Sequence, residues 1–213
     1  MTSNCPVANA LLACWLEDAL DSPAGGERMV ARWFSVDPDF DRLLTDRYAD
    51  LPARVADGAF AHWRESAATA LAALIALDQL PRNLYRGTAR AYAYDGLALA
   101  LAEHALAAGY HAALHPLAGA FFNLPFEHAE DPALQRRAVA GYQWQAARAE
   151  PGYTALLQRW VAAGNDHLAV IERFGRFPHR NAILGRASTP EETSWLAAGG
   201  HHWGQVPPGP QEL

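Results

Sequence analysis

Apolar residues recur along the chain at spacings of three and four, and no stretch sustains the apolar–polar alternation of a half-buried strand. Alanine and leucine dominate while β-branched residues are sparse, so intrinsic preference and pattern both predict an all-α fold. The first helix is expected over residues 6–20, stopped by Ser22-Pro23-Ala24-Gly25-Gly26. A second should start at Pro38 and run to Ala56, with Gly58 after it. Ser66 is placed to cap a helix reaching Leu80, where Leu71, Leu74 and Ile75 form the apolar stripe and Pro81 ends it. Thr88 should cap a long helix to Ala108, closed by Gly109. A shorter helix follows Pro116. Asp131-Pro132, Glu150-Pro151 and Asp166 each read as a helix start, the last presenting Val170, Ile171 and Phe174 inward. Thr189-Pro190-Glu191-Glu192 opens the final one with acids in its first turn.

From Gly199 the composition turns to Gly, His, Pro and Gln, which predicts a surface tail over 199–213 behind one helical domain over 1–198. Eight or so helices with short connections in one unit suggest stacked helical hairpins. No linker divides the chain.

Composition narrows the chemistry. With 213 residues, 51% of them hydrophobic, the chain can bury a core without disulfides or metals. No apolar run is long enough for a membrane span, and no basic, apolar leader is visible, so a cytoplasmic location is expected. A net charge of −6 and the lack of a long basic stripe argue against nucleic-acid binding. The Trp residues, Trp15, Trp33, Trp63, Trp144 and Trp160 among them, are expected in the core. All 17 basic residues are arginine, which rules out Schiff-base and P-loop lysine chemistry. Any bound anion must be held by guanidinium groups, backbone amides or histidine. Cys5 and Cys14 form no CxxC or zinc half-site. Glu127-His128 and Asp131 with His167 or His179 could offer metal ligands, but neither HExxH nor ExxH occurs, so no metal and no cofactor is expected.

Polar residues gather in three segments. In the first, Asp78-Gln79-Leu80-Pro81-Arg82-Asn83-Leu84-Tyr85-Arg86-Gly87-Thr88, guanidinium groups sit beside the free N–H groups of a helix start, a reasonable anion site. Residues 173–186 echo it, with Arg176, His179, Arg180, Asn181 and Arg186 around a proline and a glycine. Between them lies the acidic run Glu127-His128-Ala129-Glu130-Asp131. On one reading these charges fasten helix ends to each other, with Asp78, Asp95, Glu127 and Asp131 pairing the arginines. On the other they line a pocket for a carboxylate or phosphate. His128, between two carboxylates, and His179, beside arginines, are candidate acid/base groups.

The strings LDQLPRNLYRGTARAYAYD (77–95), LPFEHAED (124–131) and RFGRFPHRNAILGRASTPEE (173–192) resemble the signature blocks of the bacterial domain-of-unknown-function 924 family, a likeness spanning roughly residues 12–200. The resemblance implies a tetratricopeptide-like superhelical fold of stacked hairpins and no particular activity. Ala129 stands where that pattern usually has serine. The matching positions are Asp78, Arg82, Asn83, Arg86, Tyr94, Asp95, Glu127, His128, Asp131, Arg176, His179, Arg180, Asn181 and Arg186, a fair share of which are expected in one groove. The favoured expectation is a module that binds a peptide, protein or other anionic ligand through its Arg/Asn loops. The alternative is an enzyme for a small anionic substrate, with an arginine clamp and His128, His179 or Glu127 as acid/base.

Overall fold

A computed structural model describes residues 5–205, and among these every regular element is helical. Helix α1, Pro6–Leu16, buries Ala8, Leu11, Leu12, Trp15 and Leu16 on one face. It ends four residues short of the expected Leu20, because Glu17 takes a positive φ of 41°. Ser22–Gly26, expected to break structure, instead starts α2, Pro23–Phe34: Ser22 accepts the Gly25 N–H at 3.1 Å and proline occupies the first turn. Glycine serves close approach here, since a Cβ on Gly25 would lie 2.2 Å from the Asp18 carbonyl oxygen. Gly25→Ala should therefore cost about 1–3 kcal/mol in a urea melt, the usual range for overpacking. A loss below about 0.5 kcal/mol would show that the α1–α2 turn yields instead.

The helix expected over 38–56 divides into α3, Pro38–Tyr48, and α4, Leu51–Ala56, because Pro52 has no N–H with which to continue the first. Ser66 caps α5, Ala67–Leu74, by accepting from the Thr69 N–H. Pro81 does not terminate this helix. One π turn, Ile75–Gln79, lets Leu80 N–H reach back to the Ile75 carbonyl, and the path continues through Pro81 into α6, Leu80–Leu84. Thr88 caps nothing; its hydroxyl donates to the Tyr85 carbonyl, and a 3-10 stretch over Ala89–Tyr92 precedes α7, Asp95–Ala107.

Gly109, at φ +74°, stops α7 and leads into α8, Tyr110–Ala113, and α9, Pro116–Ala120; a 3-10 turn then joins α10, Leu124–His128. Asp131 caps α11, Pro132–Arg148, and two residues later α12, Pro151–Phe174, returns against it as an antiparallel hairpin. Asp166 lies inside α12 rather than opening a helix. Gly164 just before it sits at the α11 contact, where a Cβ would meet Val139 and Tyr142 at 3.2 and 3.3 Å. Helix α13, Arg180–Ile183, is one turn, and α14, Pro190–Ala197, starts with a full capping box between Thr189 and Glu192.

Helices α2 and α9 pack on α12, α9 and α10 on α11, and α5 on α1 and α7. At their centre Trp15 stacks on Trp33 with centroids 6.1 Å apart, and Phe121 meets Trp33 and Trp160 edge-on at 4.9 and 5.3 Å. Trp144 is the exception among the expected core tryptophans: it is 41% exposed, between His111 and Arg148. No described helix is long and apolar enough to cross a membrane. The expected surface tail is corrected in its first part, because the chain folds back after α14 and buries Gly200 and Gln205. Residues 206–213 lie outside the described residues.

Candidate functional site

A cavity of about 110 Å³ lies where α2, α6, α10, α12 and the start of α13 converge, with the returning segment 203–205 on its border. Its walls combine the aromatic rings of Trp33, Phe34, Tyr92 and Trp203 with Arg82, Arg180, Glu127 and three histidines. Pockets for drug-sized ligands occupy roughly 300–1,000 Å³, so this one suits a ligand of a few heavy atoms.

One wall is built on the π turn. Asp78, wholly buried, accepts from His128 Nδ1 at 2.8 Å and from Gln79 Nε2 at 2.5 Å, and lies 3.5 Å from Arg82 Nη1. Arg82 continues to Asp95 at 3.0 Å. Burial works against ionising Asp78, but the Arg82 charge and the His128 and Gln79 hydrogen bonds outweigh it and hold the carboxyl below its usual range. Burial also opposes the Arg82 charge, and Asp78 and Asp95 overcome it. Because an ionised carboxylate can only accept, the 2.8 Å contact places a proton on His128 Nδ1. Burial, then the nearby Arg82, lowers the His128 pKa, so the ring is a neutral imidazole that lines the cavity, with Nε2 as its acceptor nitrogen.

Arg180, 7% exposed, lies beside this network. Its Nη1 donates to the His128 carbonyl at 3.0 Å and lies 3.9 Å from Asp95, and its guanidinium covers the Tyr92 and Phe177 rings at 4.7 and 4.4 Å. Its Nε has no hydrogen-bond partner, and neither do His179 Nδ1 and the Tyr92 hydroxyl. His179 is pushed down to about 2 by burial and then by the Arg180 charge. His167, on α12, is pushed down to about 3 by burial. Glu127 sits 3.6 Å from His167 Nδ1 and beside the Tyr142 hydroxyl, and burial pushes its carboxyl up to about 8. The cavity thus holds neutral imidazoles and an uncharged carboxylic acid at neutral pH.

The returning segment closes one side. Trp203 stacks on His167 at 4.1 Å, and the Gln205 amide donates to the Arg82 carbonyl at 2.9 Å while accepting from Gly87 N–H at 3.0 Å. The anion site expected at Gly87-Thr88 is therefore already filled, by Gln205 on the backbone and by Asp41 on Arg86, the latter at 2.8 Å.

Of the residues singled out in the sequence, Arg82, Asn83, Arg86, Glu127, His128, His179 and Arg180 line the cavity, and Asp78 and Asp95 hold Arg82 from behind. The others lie elsewhere. Asp131 is a helix cap, and Tyr94 precedes α7 and packs on the core. Arg176 pairs with Glu192 and Arg186 with Glu130, both at 2.6 Å. The echo between the two Arg-Asn segments has a structural counterpart. Asn83 shares Asp41 with Arg86, Asn181 shares Glu192 with Arg176, and the arginine before each asparagine reaches toward Asp95 and Tyr92. Sequence reasoning missed Trp33, Tyr92, Trp203 and Gln205 as cavity residues and weighed His167 only as a possible metal ligand. Tyr92 lay within a segment already singled out, and His167 carried the one other signal, a histidine on the apolar face of α12. Among the described residues no cluster of three or more His, Cys, Asp or Glu could hold a metal ion.

Residues 11–200 match the family described as bacterial protein of unknown function, DUF924. A solved structure of a protein of unknown function, ATU0120 from Agrobacterium tumefaciens, is 36% identical and superposes with a TM-score of 0.76, covering 91% of this chain and 98% of that one. No curated protein matches the sequence.

Proposed function

We propose that this chain, which belongs to the DUF924 family, binds a small anionic molecule, a carboxylate or phosphate, in the cavity between α6, α10 and α13. The observation that carries this reading is Arg180. A buried guanidinium is costly unless its charge and its N–H groups are met. Asp95, the nearest carboxylate, is 3.9 Å away and already engaged by Arg82, Glu127 next to the site is uncharged, and Arg180 Nε has no partner. Arg180 is among the residues that line the cavity, and an oxyanion held there would supply a counter-charge for its buried guanidinium. The small, partly enclosed space favours such a molecule over a peptide, which needs a groove open at both ends.

Titration calorimetry with inorganic phosphate, acetate and pyruvate tests this. At least one should bind with millimolar affinity or better, and Arg180→Gln should weaken it at least tenfold with little change in the melting temperature. Undiminished binding by that variant, or no binding of any of the three to the folded protein, sinks the proposal.

A further inference from the structure

Resting on the reading that the cavity holds a small anion, we propose that this anion carries an apolar arm: a carboxylate or phosphate whose charged group enters the cavity and whose short hydrocarbon chain lies over Phe34 and Val36 at the mouth. Exposure places the mouth. Among the described residues that line the cavity only Phe34 and Ser35 are exposed, the others being buried or half-buried. Arg180, at 7%, belongs to the buried part. A molecule whose charged group meets Arg180 therefore comes out to solvent beside Phe34 and Ser35. At about 110 Å³ the cavity is filled by a group of a few heavy atoms, so any longer molecule continues outside it.

The surface met there is apolar. Phe34 and Val36, 50% and 57% exposed, are the two most exposed large hydrophobic side chains among the described residues, and only Ser35 separates them. Single apolar residues are common on a protein surface, but this pair adjoins a cavity. Phe34 closes α2, and its ring stands edge-on to Trp160, with centroids 5.1 Å apart, and to Trp33 at 6.4 Å. Val36 flanks the returning segment: a Cβ on Gly204, which follows Trp203 of the cavity wall, would lie 3.5 Å from Val36 Cγ2. The Phe34 ring is thus packed in place before a ligand arrives. An alkyl chain laid on it removes apolar surface from water on both partners at little ordering cost to the protein. A bare anion leaves that surface wet.

Calorimetry with matched pairs separates the arm from the charged group: acetate against hexanoate, pyruvate against 2-oxoheptanoate, and inorganic phosphate against butyl phosphate. In each pair the second member is longer by four carbons. Full burial of a methylene tightens binding about fourfold, and cover on one side about twofold. The longer member of any pair that binds should therefore bind about tenfold tighter or better. Phe34→Ser should cut that ratio at least threefold, and Val36→Ser gives the same readout if Phe34→Ser does not fold. A ratio near one in the wild type, or a high ratio that the folded variant keeps, overturns the apolar arm while the anion site stands. If none of acetate, pyruvate and phosphate binds, the binding reading itself has failed and takes this inference with it.

Discussion

Asp78→Ala should lower the stability of the folded protein by about 3–5 kcal/mol, the range for breaking a buried ion pair by removing one partner. For a chain of this size that corresponds to a fall of roughly 6–20 °C in melting temperature. The loss is large because three groups are orphaned together. His128 Nδ1–H and the Gln79 amide lose their acceptor, and the buried Arg82 is left with Asp95 alone. Asp78→Asn, which keeps an oxygen for His128, should cost less. The double variant Asp78→Leu with Arg82→Met should also cost less than the sum of its parts, since removing both charges abolishes the desolvation each needed. Calorimetric melts of the wild type, Asp78→Ala, Asp78→Asn, the double variant and its two single variants give the comparison. A drop below about 1 kcal/mol in Asp78→Ala would mean that water reaches Arg82 and that the wall is not the closed network described above.

The second large effect is on pH dependence. In the unfolded chain Glu127 titrates near 4.5, whereas burial in the fold pushes it up to about 8. Between those values the folded state retains a proton that the unfolded state has released. Glu127 therefore contributes stability below about pH 4.5 that is lost as pH rises to about 8, by a few kcal/mol at most. The histidines act in the opposite sense. His167 titrates near 6.5 unfolded and about 3 folded, so its contribution is present above 6.5 and lost as pH falls toward 3. Glu127→Gln keeps the shape of the side chain and removes the titration. Stability profiles of the two proteins should diverge from pH 5 upward, the variant becoming the more stable by pH 8. Parallel profiles would show that Glu127 is ionised in the folded protein and would remove the argument that Arg180 lacks a counter-charge.

What could be read from the sequence and what could not divides by the distance over which each property is decided. Helix content follows from spacing within a few residues, and the caps at Ser66, Asp131 and Thr189 need only the two or three N–H groups that come next. The likeness between the two Arg-Asn segments and membership of the family were legible for the same reason: both lie in contiguous strings. Local signals failed where a neighbour far along the chain overrode them. Gly25 and Pro81 both look like helix breakers; one is small because the α1–α2 turn presses on it, and the other is accommodated by a widened turn. The site shows the same division more strongly. Arg82 and His128 could be picked out as residue types, but their states depend on Asp78, which is 50 positions from His128, and on Asp95, which is 13 from Arg82. Which carboxyl is ionised, which imidazole is neutral and which guanidinium lacks a partner are set by desolvation and by charges within a few ångströms, and those neighbours exist only once the chain has folded.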